Sequence, residues 1–262
     1  MSRTIGIAVA LLLGFSFAAF PFGISAGIGG YTIDLSASFG KLEGAIDAAG
    51  TALGLSQSDI DDLISEVEGG LPDITTVPLP FLYGTVELGV PFVVIDSVRL
   101  TGGILTDGIV RGIASSVGEP IPQPLIDETF DTGAGQGSVS ADVSFSSYLL
   151  QVEVAKRPDV FLAAVDIGVG ACWISGTISP QLDVQVPAQY QSAIADATAA
   201  LHLDGLSWSA IGLNAGLGIE LGPPLLRLRA EGSMLLTLYE ESGWWDVKVG
   251  GITAKIGIMM RL

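Results

Sequence analysis

Residues 245–262 read WDVKVGGITAKIGIMMRL, and the reading of this stretch decides the fold. Leu262, Met260, Ile258, Ile256, Ala254 and Ile252 form one unbroken apolar row. Arg261, Met259, Gly257, Lys255, Thr253 and Gly251 alternate with them and carry charge and glycine. A period of two puts the rows on opposite faces of a strand. In a soluble protein the apolar face turns inward, whereas in a membrane barrel it turns outward and the charged face lines the interior.

Composition favours the second arrangement. Hydrophobic residues make up 49% of the 262 residues and charged residues only 15%, well under the quarter usual for soluble domains. The net charge is nevertheless −17, which argues against nucleic acid as a partner because phosphate needs a basic surface. A single cysteine, Cys172, excludes an internal disulfide framework and a thiolate metal cluster. It reads as a small interior residue.

The N-terminus reads as an export signal over residues 1–25. Arg3 precedes an apolar run from Ile5 to Phe22, and small residues follow at Gly23, Ser25 and Ala26. Cleavage is expected after Ser25 or Ala26, with Ala18 a poorer position; a membrane anchor helix is the rival reading. No later segment offers the ~20 apolar residues of a spanning helix. A hydrophobic chain without one points to membrane strands.

Seven further strands show the alternation of the last. They are expected at about Gly27–Phe39, Phe81–Ile95, Val98 to somewhere between Leu105 and Ala114, Ser138–Ala155, Val160–Ser179, Trp208–Leu221 and Leu226–Leu238. In the fourth, Val139, Ala141, Val143 and Phe145 set one parity, while Tyr148, Leu150, Val152 and Val154 set the other. A bulge is expected at Ser146-Ser147. Helical spacing appears in two insertions, at about 40–78 and 180–205, with Ser58 and Asp61 as a capping box. Glu119–Gly137 reads as a long loop.

The expected fold is all-β with loop helices: an eight-stranded antiparallel up-and-down transmembrane β-barrel over residues 26–262. Its first, third and fifth connections are long and the others short, so the long ones share one side. Phe81, Tyr83, Phe145, Trp173, Trp208, Tyr239, Trp244 and Trp245 gather near the long-loop ends and read as an aromatic girdle. This pattern resembles the small outer-membrane β-barrels of diderm bacteria, the broad group that includes the OmpA-, OmpX- and OmpW-like proteins. The alternate apolar residues at Leu262, Met260, Ile258 and Ile256 are similar to that group's C-terminal assembly signal, although members usually end in an aromatic residue. The resemblance implies a bacterial outer-membrane location, lipid as surroundings and the outer-membrane assembly machinery as a partner.

Ten charged residues fall on the expected inner face: Glu87, Arg99, Asp142, Asp166, Glu220, Arg227, Arg229, Glu231, Lys255 and Arg261. Buried charges must pair, and eight strands leave an interior just wide enough for side chains to fill. A salt-bridged, plugged lumen is therefore expected, in a structural or surface-interaction protein. The inward glycines of the fifth and sixth strands keep open a narrow channel for small solutes or apolar molecules, gated by the loop helices. A secreted soluble ligand-binding barrel is the second alternative. Some members of the resembled group are lipid hydrolases or acyltransferases with a histidine beside a serine; here the one histidine, His202, sits at a helix end, and no enzyme is expected. No cofactor or metal motif appears. The acidic connections include Asp47, Asp59, Asp61, Asp62, Glu66, Glu68 and Asp73, then Glu119, Asp127, Glu128 and Asp131, then Asp183, Asp196 and Asp204. They solvate the loops or gather divalent cations.

Overall fold

The computed structural model describes residues 22–70, 76–90, 94–116, 118, 124, 126–131, 136–160, 162–200, 206–223, 225–243 and 245–261. In chain order the strands are β1 (Phe22–Asp34), β2 (Thr76–Gly89), β3 (Ser97–Thr106), β4 (Ile126–Asp131), β5 (Gln136–Lys156), β6 (Asp159–Val160), β7 (Ala163–Gln185), β8 (Ser207–Leu221), β9 (Leu226–Ser242) and β10 (Lys248–Arg261). The helices are α1 (Ser36–Ala52), α2 (Gln57–Gly70), α3 (Asp107–Ser116) and α4 (Gln191–Ala200). No helix among the described residues is long and apolar enough to cross a membrane.

Eight of the strands close on themselves. Antiparallel pairing runs β1-β2-β3-β5-β7-β8-β9-β10 and returns from β10 to β1. Every ring strand thereby gains a partner on both sides, so no long edge is left for aggregation. The register from Phe22 passes through Leu88, Val98, Val154, Val169, Ala215, Met234 and Ile252. Ile252 adjoins Thr253, the partner of Tyr31, so one circuit climbs about ten residues, a stagger that tilts eight strands by ~40°.

Alternation does the rest. Ile24 and Ile28 of β1, Val86 of β2, Leu100 of β3, Val152 of β5, Val169 of β7, Leu213 and Leu217 of β8, Met234 and Leu236 of β9, and Ile256 and Ile258 of β10 all face outward and are exposed. On β8 this apolar row runs from Ile211 to Leu221, ~33 Å of strand and ~25 Å of height once tilted, the thickness of a membrane barrel's belt.

Several boundaries differ from those expected. β1 starts at Phe22, and Gly23 and Ser25 already pair with Arg261 and Met259. A cut after Ser25 or Ala26 would remove paired strand. β5 carries no bulge at Ser146-Ser147, since its register with β7 is continuous from Ser138 to Lys156. The apparent phase change has another cause. From Ser146 downward β5 is walled by lipid-facing apolar residues at even positions; above it, β5, β4 and the upper part of β7 project beyond β3 and β8 as a small sheet. There the odd residues Val143 and Phe145 stay on the inner side, and the outer face turns polar. The third connection also holds β4 where a loop is expected, and α3 takes the place of the vague end of the third strand. The capping box of α2 is Ser56 with Asp59, not Ser58 with Asp61: the Ser56 hydroxyl meets Asp59 Oδ2 at 2.6 Å and accepts from the Asp59 amide at 3.3 Å.

Candidate functional site: a lumen lined in three layers

The inward side chains change character with height. Along β2 they run Glu87, Thr85, Tyr83, Phe81; along β3, Arg99, Thr101, Leu105; along β9, Arg227, Arg229, Glu231, Ser233, Leu235. The turn end is charged, the middle carries hydroxyls and amides, and the long-loop end is apolar. β5 repeats the order from Glu153 through Gln151 to Leu149, whereas β1 contributes no charge and only glycine and Ser25 at the turn end.

The charged layer is dense. Arg99, 1% exposed, places Nε 2.8 Å from Glu87 and a terminal nitrogen 2.5 Å from Asp166. Arg229 lies 2.9 Å from Asp166 and 3.7 Å from Glu87, and also contacts Glu231. Arg261 forks onto Glu220 at 2.7 and 2.9 Å and reaches Glu87 at 3.3 Å. Arg227 stands 3.5 Å from Glu220, which has no exposed surface. Higher up, Lys255 pairs with Glu231 at 2.6 Å and donates to Gln151 at 2.9 Å. Nine of the ten expected residues are thus brought into one network. Two-pronged arginine contacts of this kind are the strong form of ion pair.

Asp142 is the exception. It lies on the projecting part of β5, above the ring, where it pairs with Arg111 of α3 at 2.5 Å. It was placed inside because the upper and lower halves of β5 were read as different registers. Conversely, Glu153 belongs to the lumen and was not expected there. It is buried, accepts from Asn214 at 2.6 Å and lies 3.9 Å from Lys255. Its position was legible, because Leu150, Val152 and Val154 face lipid and leave Glu153 on the other side. Arg157, in the turn after β5, adds a further cation 3.2 Å from Glu87.

The middle layer is made of paired hydroxyls: Thr85 with Thr101 at 2.8 Å, and Ser233 with Thr253. Above it Tyr31, Ile33, Phe81, Tyr83, Leu105, Leu149, Cys172, Ile174, Trp208, Ala210, Leu235, Val247 and Val249 form one buried cluster with Trp245. The girdle reading is corrected here. Phe81, Tyr83, Trp208 and Trp245 are buried inside the barrel, and Phe145 packs against them; Trp244 lies outside the described residues. Position along the strand put these residues at the rim, but their parity, shared with Glu87 or Ala210, puts them indoors. The outward aromatics at this end are Tyr148, Trp173 and Tyr239. Trp173 and Tyr239 flank Ile211 in one register row.

Three inward glycines seat aromatic side chains. A Cβ on Gly29 would fall 2.5 Å from the Phe81 ring, and one on Gly257 2.5 Å from the Tyr83 hydroxyl. Trp208 lies across Gly176 in the same way. Gly168, Gly216 and Gly218 instead face Glu153, Ser233 and Asp166. Over the mouth, α1 contacts the loop between β9 and β10: Ser38 donates to the Trp245 carbonyl, and Lys41 pairs with Asp246 at 2.5 Å. Exposed acids crowd this side, among them Asp47, Asp59, Asp61, Asp62, Asp127, Glu128, Asp183 and Asp196. No three metal-ligating side chains come together among the described residues. His202 lies outside the described residues, and Ser209 accepts from Trp173 Nε1 at 3.1 Å.

No protein-family model matches the chain, and no curated protein matches its sequence. Among solved structures the chain is similar to Ail, the attachment invasion locus protein of Yersinia pestis, at 12% identity over 93% of this chain and 99% of that one, with a TM-score of 0.38. It is similar to the outer membrane protein OprG of Pseudomonas aeruginosa at 11% identity, over 93% and 96%, TM-score 0.38. A major outer membrane protein of Thermus thermophilus is similar at 12% identity, over 93% and 99%, TM-score 0.38. Such likenesses say nothing of activity or partners. The eight-stranded antiparallel up-and-down barrel stands on this chain's own closed ring of strands.

Proposed function

We propose that the chain is a bacterial outer-membrane β-barrel with a closed lumen, whose contacts with its surroundings are made by the polypeptide above the rim. The observation that supports this is the inversion of polarity across one wall. Met234, 71% exposed, faces outward between Ser233 and Leu235, both buried. An apolar wall this extensive is stable only against lipid. The secreted soluble barrel needs the opposite arrangement, with Arg227, Arg229 and Glu231 at the surface. The narrow channel needs a continuous path, and both the ion-pair layer and the aromatic layer stand across it.

Export by a cleaved signal peptide and insertion by the outer-membrane assembly machinery complete the reading, and no catalytic step is part of it. The surface offered outward consists of α1, α2, α4 and the β4-β5-β7 sheet, all rich in carboxylates, around which divalent cations gather as a loose atmosphere. Cell fractionation tests the placement. The protein is expected in the outer-membrane fraction, migrating faster unheated than boiled, with external protease cutting only loops of the α1–α2 side. Recovery in the soluble fraction without detergent overturns it.

A further inference from the structure

The apolar layer is not filled evenly. A cavity of about 120 Å³ lies in it, walled by Leu79, Leu105, Val143, Phe145, Ile178 and Trp208. It sits where the wall changes partners: β3 ends at Thr106, and β4 takes its place beside β5 only from Ala141 upward. Leu79 and Leu105 flank that break. Six apolar side chains make the space hostile to ions and to water, which need several polar partners.

Two serines, Ser146 and Ser147, interrupt the wall. Ser147 lines the cavity, and its hydroxyl lies 2.5 Å from that of Tyr31; both residues are buried. Two hydroxyls that share one hydrogen bond hold two hydrogens, and whichever donates, the second hydrogen is left over. A buried donor gains from an acceptor placed in the cavity.

We propose that this cavity is a binding site for a small uncharged molecule, a small alkyl ring carrying one hydrogen-bond acceptor. An engineered apolar cavity of about 150 Å³ accepts benzene, with its six carbons, so this one of about 120 Å³ takes about five non-hydrogen atoms. The ring lies among Leu79, Leu105, Val143 and Phe145, and the acceptor meets the Ser147–Tyr31 pair. Anions and zwitterions are excluded by the cost of losing water. The site lies within the apolar layer and asks for no passage through the charged layer below.

The test uses the full refolded chain in detergent micelles with carbonyl-¹³C cyclobutanone as the probe and cyclopentane as the competitor without an acceptor. Wild type is expected to show saturable binding above linear uptake by micelles, a downfield-shifted carbonyl resonance in the bound state, and weaker competition by cyclopentane. Filling the cavity with Val143→Phe, or independently Leu79→Phe, is expected to weaken the saturable component at least tenfold while heat-modifiable migration persists. The double variant Tyr31→Phe/Ser147→Ala is expected to keep saturable binding and lose the downfield shift. Linear uptake alone by wild type, or unchanged binding by whichever filling variant folds, overturns the site. An unchanged carbonyl shift in the double variant overturns the acceptor.

Discussion

Arg99 shows what a single residue does in this lumen. It is the shared partner of Glu87 and Asp166, and Arg229 contacts the same two carboxylates. Removing one partner of a buried pair leaves an uncompensated charge and costs about 3–5 kcal/mol. Arg99→Met is therefore expected to lower stability by that order in urea unfolding from micelles. Because Arg229 serves the same acids, the Arg99→Met/Arg229→Met pair should depart clearly from additivity in a double-mutant cycle; additive losses would contradict a shared network. Glycine seats are equally exacting. Gly176→Ala drives a methyl into the Trp208 ring, an overpacking expected to cost about 1–3 kcal/mol, with Trp208 fluorescence shifted as the ring is displaced. Gly251 is a different case, held at φ +78° where β10 slips register against β1, and a β-branched residue there meets backbone strain.

Among the elements, α1 and β1 carry checkable consequences. The Lys41 ammonium, hydrogen-bonded to Asp246, holds that carboxyl below its ordinary value of 3.8. A depressed pKa in the docked state contributes stability above the undocked value, and the contribution disappears as pH falls through the docked one. Docking of α1 on the β9–β10 loop is therefore expected to hold above about pH 4 and loosen below it. The protection of the Lys41–Ala45 amides, measured relative to the intrinsic exchange rate at each pH, should fall on acidification in wild type, and Lys41→Ala should remove that pH dependence. The pair is exposed, so the change is small and the barrel itself stays folded. For β1, an export cut that spares the paired strand falls before Phe22. N-terminal sequencing of the mature protein is expected to begin at Ala19, after the Ser16-Phe17-Ala18 small-residue pattern; a start at Ala26 or Gly27 would contradict the strand. The ring strands were legible because period two is a strong signal wherever one face meets lipid and the other charge. Their upper ends were not, because Val139–Phe145 keeps its apolar residues on the inner side once the chain leaves the belt. α3 was missed for a similar reason: Ile104, Leu105, Ile109 and Val110 read as one vague strand end.

At the scale of the whole molecule, the barrel inverts the usual order and grades it. Lipid-facing side chains supply a uniform apolar wall, while the interior passes from ion pairs through hydroxyls to aromatics. The charged layer specifies register, since each partner sits on a different strand: Glu87 on β2, Arg99 on β3, Asp166 on β7, Glu220 on β8, Arg229 on β9 and Arg261 on β10. The aromatic layer packs above it, around a cavity of about 120 Å³. A lumen crossed by both layers, as proposed above, does not conduct ions. Single-channel recording in planar bilayers, with the purified full-length barrel shown by heat-modifiable migration to be folded, tests this. A flat baseline is expected at all moderate voltages, whereas a reproducible open level that persists across preparations would overturn the closed lumen.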